Sequence, residues 1–182
     1  MTNTIPSCIS TWKHGFESNQ ISFNILNQCG TALDAVELGV RATESDPKVL
    51  TVGYGGYPDD KGEVTLDACI MDHENNVGSV AYLKHIKHPI SVSRAVMEKT
   101  NHCMLAGDGA YKFALKQGFK KENLLTREAK DHFIKWKKTK IKEPLSDRNH
   151  DTITQLALDS KGNLAGACTT SGLAYKLQGR VG

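Results

Sequence analysis

No stretch of the sequence approaches the roughly 18 consecutive apolar residues that a membrane-spanning helix needs. The opening "MTNTIPSCIS" lacks the basic start and apolar run of a secretory leader. A leader removed ahead of this numbering would leave no trace, so the residues fix no compartment. Five cysteines, Cys8, Cys29, Cys69, Cys103 and Cys168, form no C-x-x-C pair, which argues against a zinc site or a thioredoxin-like motif. Most stand in apolar runs and read as buried free thiols. Charge of one sign is also lacking: 23 basic residues against 20 acidic ones leave a net charge of +3, which gives no electrostatic footprint for nucleic acid. The glycine-rich stretches "GYGG" and "GDGA" lack phosphate-loop spacing, so no nucleotide is assigned. No internal repeat of solenoid type is present.

What is there suits a single domain. A chain of 182 residues with 39% hydrophobic and 24% charged residues can bury a core and has ordinary globular composition. Residues 5 to 12 read as a short strand. "SNQISFNILNQCG" then reads as a helix with Ser18 as a cap and Gly30 beyond its end. Thr31 and Asp34 resemble a capping box for "ALDAVELGVRATE", which Asp46-Pro47 closes. "VTLDACIMDHENNVGSVAYL" and "TITQLALDSKGNLAGACTT" each hold two apolar runs around a polar break, the pattern of β-hairpins. Leu66 to Met71, apolar at nearly every position, suggests a sheet covered on both faces. "PISVSRAVMEKT", "GDGAYKFALKQGF" and "TREAKDHFIKWKKTK" supply helices, the first with Pro89 in its first turn. The order favours an α+β layered sandwich over alternating βαβ units. "KKTKIKEPLSDRNH" reads as a surface connection, with Lys137 to Lys142 as a solvated run.

The junction "RNHDTIT" carries the chemistry. A threonine at the head of a strand gains a base if the bond before it is broken, because its own free α-amine, with a pKa of about 7.7 to 8.0, can take the hydroxyl proton. Asp151 suggests how that bond breaks: the Thr152 hydroxyl attacks the Asp151 carbonyl, the Asp151 carboxylate or His150 accepts the proton, and water cleaves the resulting ester. Alone, the triplet is a weak signal and reads first as an ordinary loop-to-strand junction.

The remainder of the chain sharpens this reading. "STW", "GTALDAVELGV", "VGYGGYPDDKGEVTLDACIMD", "HIKHPISVSRAVMEKT", "MLAGDGAYKFALKQGF" and "NHDTITQLALDSKGNLAGACTTSGLAYKLQGRVG" resemble glycosylasparaginases of the N-terminal nucleophile hydrolase superfamily over essentially the whole sequence. The resemblance implies a four-layered αββα sandwich, incomplete here at the C-terminus. It also implies self-cleavage between Asp151 and Thr152 into an α-chain, 1–151, and the start of a β-chain, 152–182. The family hydrolyses the amide between N-acetylglucosamine and asparagine with no metal or organic cofactor. Its members assemble as dimers of αβ heterodimers and are lysosomal or periplasmic.

Residue by residue, the resemblance makes Thr152 the nucleophile and base, and Thr170 the support for its hydroxyl. Arg180 becomes the grip on the substrate's α-carboxylate. Trp12 would line the mouth, and His150, Asp151 and Thr152 would form the autocleavage site. The family pattern continues past "GRVG" with an aspartate and later a Thr-Gly pair forming an oxyanion hole, so this chain is expected to be an N-terminal fragment with little activity of its own.

Two other functions are weighed beside this one: a plant-type asparaginase or isoaspartyl peptidase, which usually carries glycine before the threonine, and a non-catalytic interaction module. Thr169 competes with Thr170 for the supporting role. Asp67 and Asp72 read as structural, Asp72 as a turn residue. His85 and His88 read as part of a solvated loop before Pro89.

Overall fold

The computed structural model describes residues 4–139 and 152–182. Strand β1, Ser7–Ser10, leads into helices α1, Gly15–Asn27, and α2, Ala32–Ser45. Strands β2, Leu66–Met71, and β3, Val77–Leu83, precede α3, Pro89–Lys99. A short strand β4, Met104–Ala106, runs into α4, Gly107–Lys116, and α5, Arg127–Thr139, follows. Strands β5, Ile153–Leu158, and β6, Leu164–Thr170, complete the described elements.

Local chemistry accounts for most boundaries. Thr31 accepts the Asp34 amide at 3.1 Å and donates its hydroxyl to the Asp34 carboxylate at 2.7 Å, so the expected box opens α2. Asp46 turns extended ahead of Pro47 and ends that helix. Pro89 occupies the first turn of α3, where a missing N–H costs nothing. Both hairpins form as read, and their turns share one device: Asp72 accepts the amides of Glu74 and Asn76, and Asp159 those of Lys161 and Asn163. Two boundaries differ from expectation. The first strand covers only Ser7–Ser10, and α1 begins at Gly15, leaving Ser18 inside it with its hydroxyl bonded to that of Thr43 at 2.9 Å. β4 has three residues and no alternation to reveal it; it exists by pairing in parallel with β3.

The two hairpins join in one six-stranded sheet of order β1-β5-β6-β2-β3-β4. Helix α1 packs on α2, α2 lies over β5 and β6, and α3 lies over β2 and β3. Ala68, Ile70, Val80, Ile153, Ala157, Ala165 and Ala167 meet Val36, Val40, Ile90 and Val96 in the core between sheet and helices. Small residues on the strands let the helices approach closely. At Gly78 a Cβ would collide with the Ser93 carbonyl and lie 2.7 Å from the Met97 Cβ.

The sheet was expected to be covered on both faces, but among the described residues only one face is. Cross-strand register places Ile9, Leu156, Gly166, Met71 and Val77 in a row on the other side. Ile9 is 66% exposed, Leu156 44% and Met71 43%, with Leu164 and Met104 exposed on the same face. The apolar alternation of β5 and β6 therefore describes a two-sided sheet with one side open. Helix α5 stands apart from the sheet and is docked by aromatic rings: Trp136 stacks on Tyr175 at 4.4 Å between centroids, beside Phe133.

Candidate active site

Thr152 precedes β5 on the strand that β1 and β6 flank. The Thr11 side chain spans 141 positions of sequence to hold it: its hydroxyl donates to the Thr152 carbonyl at 2.9 Å and accepts the Thr154 amide at 3.0 Å. Ile153 pairs with Thr169, so alternation sends Thr169 to the helix side and sets Thr152 and Thr170 on the open face, on neighbouring strands. Thr170 in turn pairs with Asp67. The result is a row of hydroxyl, hydroxyl and carboxylate across β5, β6 and β2.

The register separates the two competing threonines. Thr169 is fully buried and donates to the Glu44 carboxylate at 2.8 Å. Thr170 accepts the Gly172 amide at 2.8 Å, and its own donation to the Thr51 carbonyl is long, 3.4 Å. Asp67 is structural, as read, and more deeply engaged than its sequence context implies. It accepts the Tyr82 amide and the Gly182 amide, each at 2.7 Å, with Lys176 Nζ at 3.6 Å. Lys176 is buried and donates to the carbonyls of Ser171 and Thr65. Burial lowers its pKa, the Asp67 carboxylate opposes that shift, and the Arg180 charge adds to it.

Arg180 is exposed beyond β6. Gly172, at φ +73°, makes this corner possible: a Cβ there would lie 3.0 Å from Arg180 Nη1 and 3.1 Å from Lys176 Nζ. Lys176 is committed to Asp67, so the guanidinium of Arg180 is the cation this corner presents to solvent. Trp12 is 54% exposed just after β1, in the left-handed region at φ +61°, two residues past the strand that flanks β5. His150 and Asp151 lie outside the described residues. Thr152, Thr170, Trp12 and Arg180 thus all border the same end of β1, β5 and β6, Thr152 and Thr170 on its open face.

Behind the row sits a group that sequence reasoning passed over. Glu44, fully buried in α2, accepts the Ile90 amide and the Thr169 hydroxyl on one oxygen and faces His88 Nδ1 at 3.1 Å with the other. Burial pushes its pKa above the ordinary carboxylate value, against those three bonds. His88 is therefore not part of a solvated loop; it stands at the start of α3 as a partner of Glu44. The signal available in sequence was Glu44 itself, a charge on the buried face of α2 in line with Val36 and Val40.

The cysteines also depart from expectation. All five are free, but Cys29, Cys69 and Cys103 are exposed, and Cys8 and Cys168 are half-buried. Cys69 and Cys168 stand on the open face that the apolar run was expected to conceal.

Comparison with known proteins adds to this geometry. The family model described as Asparaginase matches residues 16–182. An N(4)-(beta-N-acetylglucosaminyl)-L-asparaginase of Elizabethkingia miricola is 59% identical over 182 residues, covering 100% of this chain and 54% of that protein. The mouse protein of the same name is 34% identical, over 100% of this chain and 62% of its own length. An isoaspartyl peptidase/L-asparaginase of Rattus norvegicus is 41% identical over 88% of this chain and 49% of that protein. The chain spans about half the length of the curated relatives it matches. With the family pattern running through α1 to the end of the described strands, the chain belongs to the asparaginase family.

Proposed function

We propose that the complete enzyme to which this chain corresponds is an N-terminal nucleophile amidohydrolase acting on the amide between N-acetylglucosamine and asparagine. The observation that carries the proposal is the placement of Thr152 at the head of β5, on the sheet's open face and beside Thr170. In the processing step the Thr152 hydroxyl attacks the Asp151 carbonyl carbon, the peptide C–N bond breaks, and the acyl group passes to oxygen. Water then hydrolyses the ester and leaves a free α-amine on Thr152. In turnover that amine takes the hydroxyl proton as Oγ1 attacks the substrate amide, and returns it to the departing glycosylamine. Water releases aspartate from the acylated threonine.

Thr170 orients the attacking hydroxyl, and Arg180 holds the α-carboxylate of the glycoasparagine through its bidentate fork. Trp12 borders the entrance. The finer architecture belongs to the same proposal. The uncovered apolar row through Ile9, Leu156 and Met71 supports a second sheet on that face, giving four αββα layers in the complete enzyme.

The identity to the rat isoaspartyl peptidase/L-asparaginase favours one other substrate, the isoaspartyl dipeptide. Asp151 ahead of Thr152 weighs against it. The test uses the full-length enzyme, assayed on aspartylglucosamine and on isoaspartyl dipeptides. The expected result is preference for aspartylglucosamine, with both chain cleavage and turnover abolished by Thr152→Ala. Turnover retained in Thr152→Ala refutes the nucleophile; preference for the dipeptides refutes the substrate.

A further inference from the structure

A buried carboxylate lies within reach of the guanidinium assigned to the substrate. Asp67 is 5% exposed and takes the Tyr82 amide on Oδ1 and the Gly182 amide on Oδ2, each at 2.7 Å. Lys176, 3% exposed, faces Oδ2 at 3.6 Å and donates to the carbonyls of Ser171 at 2.8 Å and Thr65 at 3.3 Å. Gly172 gathers the second cation at the same spot: a Cβ on it would lie 3.0 Å from Arg180 Nη1, 3.1 Å from Lys176 Nζ and 3.4 Å from the Gly182 Cα. Asp67 thus faces two cations and is paired with the buried one. We propose that Lys176 is a positioning residue for the reaction: as the counter-ion of Asp67 it keeps that carboxylate from capturing Arg180, and so leaves the guanidinium free for the substrate's α-carboxylate. This role rests on the grip proposed above for Arg180.

The physical need for such a counter-ion is direct. An ionised carboxylate left buried without a cation is strongly unfavourable. Arginine is the better partner for it, because its planar fork can take both oxygens at once. Lys176 holds the place by position: its ammonium is tied to two carbonyls at the inner end of the corner, whereas Arg180 stands on the exposed turn 177–182. The charges act on one another as this arrangement requires. Burial lowers the Lys176 pKa, Asp67 opposes that shift, Arg180 adds to it, and Asp59 opposes it. Asp59 is fully buried and takes the amides of Lys61 and Glu63 on Oδ1, so it adds negative charge on the inner side of Lys176. Take the ammonium away, and Arg180 becomes the cation available to Asp67. The turn that carries Arg180 is exposed and can swing it inward, which would withdraw it from a ligand.

The experiment uses the full-length enzyme with Lys176→Met and with the double variant Asp67→Asn/Lys176→Met. Two quantities are measured. One is the pair KM and kcat, on whichever of aspartylglucosamine and an isoaspartyl dipeptide the wild-type enzyme prefers. The other is the rate at which phenylglyoxal modifies Arg180, mapped by mass spectrometry, which needs no turnover. Lys176→Met should raise KM about 10- to 100-fold with a smaller change in kcat, and should slow modification of Arg180. The double variant should recover most of both, because no carboxylate at position 67 remains to capture the guanidinium.

A lysine that only shapes the fold predicts the reverse, a double variant as impaired as the single one or more so. That result, or Arg180 modified at the wild-type rate in Lys176→Met, overturns the proposal. Should Lys176→Met not accumulate as folded enzyme, Lys176→Gln takes its place in the same comparison; failure of both to fold makes the lysine structural and overturns the proposal as well. An unchanged KM in Arg180→Ala refutes the substrate grip itself, while the modification rates still decide whether Asp67 captures Arg180.

Discussion

Glu44 is the residue whose loss the fold should feel most. Its carboxylate is fully buried and accepts from the Ile90 amide at 3.1 Å and the Thr169 hydroxyl at 2.8 Å, with His88 Nδ1 at 3.1 Å. Truncation to alanine leaves the Ile90 amide and the Thr169 hydroxyl, both in residues with no solvent exposure, without this acceptor. An orphaned buried polar group costs about 1–3 kcal/mol. Two such groups, with the void left by the side chain, place Glu44→Ala at about 3–5 kcal/mol, the range for breaking a buried polar pair. That is a large part of an ordinary domain stability of about 5–15 kcal/mol.

Glu44→Gln separates the causes, because its amide oxygen still accepts from Ile90 and Thr169. It should cost about 1 kcal/mol. The pH dependence has a definite sign. Burial raises the Glu44 pKa in the fold above its unfolded value, so the stability linked to this group is full below the ordinary carboxylate pKa and is lost as pH rises through the folded one. Urea midpoints measured from about pH 4 to pH 8 should show that decline in the wild-type chain and a flatter profile in Glu44→Gln. An alanine variant within about 1 kcal/mol of wild type, or a glutamine variant as unstable as alanine, would refute the reasoning.

Three further outcomes are expected. Arg94 bonds to Asp34 and Glu98 at 2.6 Å and to Glu37 at 2.8 Å; because the cluster is partly exposed, Arg94→Met should cost only about 1–2 kcal/mol at neutral pH in urea unfolding. Although burial opposes it, the Arg94 bond holds the Asp34 pKa down, so this difference should shrink as pH falls through the carboxylate range. Gly78→Ala forces a methyl group against the Ser93 carbonyl, where α3 crosses β3, and should lower the urea midpoint by the equivalent of about 1–3 kcal/mol. Replacing Leu156 and Leu164 with lysine should reduce fluorescence of a hydrophobic dye bound to the chain without loss of stability, since both side chains are about half exposed, at 44% and 53%. Unchanged dye binding would show that the open face is not the apolar surface responsible.

Much of this architecture was legible in the residues, for reasons that are local. The Thr31–Asp34 box, Pro89 and the two Asp-anchored hairpin turns each involve partners within four positions. The features that escaped depend on distant partners. β4 is a strand only because β3 lies beside it, and Glu44 acquires its role from Thr169, 125 positions away. Cys69 and Cys168 looked buried because a strand apolar at nearly every position does not reveal whether a second layer lies over it. Of the site, Thr152 and Thr170 could be named from a motif, and their sharing of one face follows from counting residues along two strands. The Asp67–Lys176 pair behind Thr170 is set by a loop closing over 109 positions, which no periodicity encodes.

The Thr11 clasp has a mechanical meaning for any break in the backbone ahead of Thr152. Strand β5 is stitched to β1 on one edge and to β6 on the other, and Thr11 fastens its first residues from the side. Severing the main chain there would free an amine without freeing the strand that bears it. Two polypeptides would persist as one interlaced sheet, with the new terminus anchored by the strand that bears it.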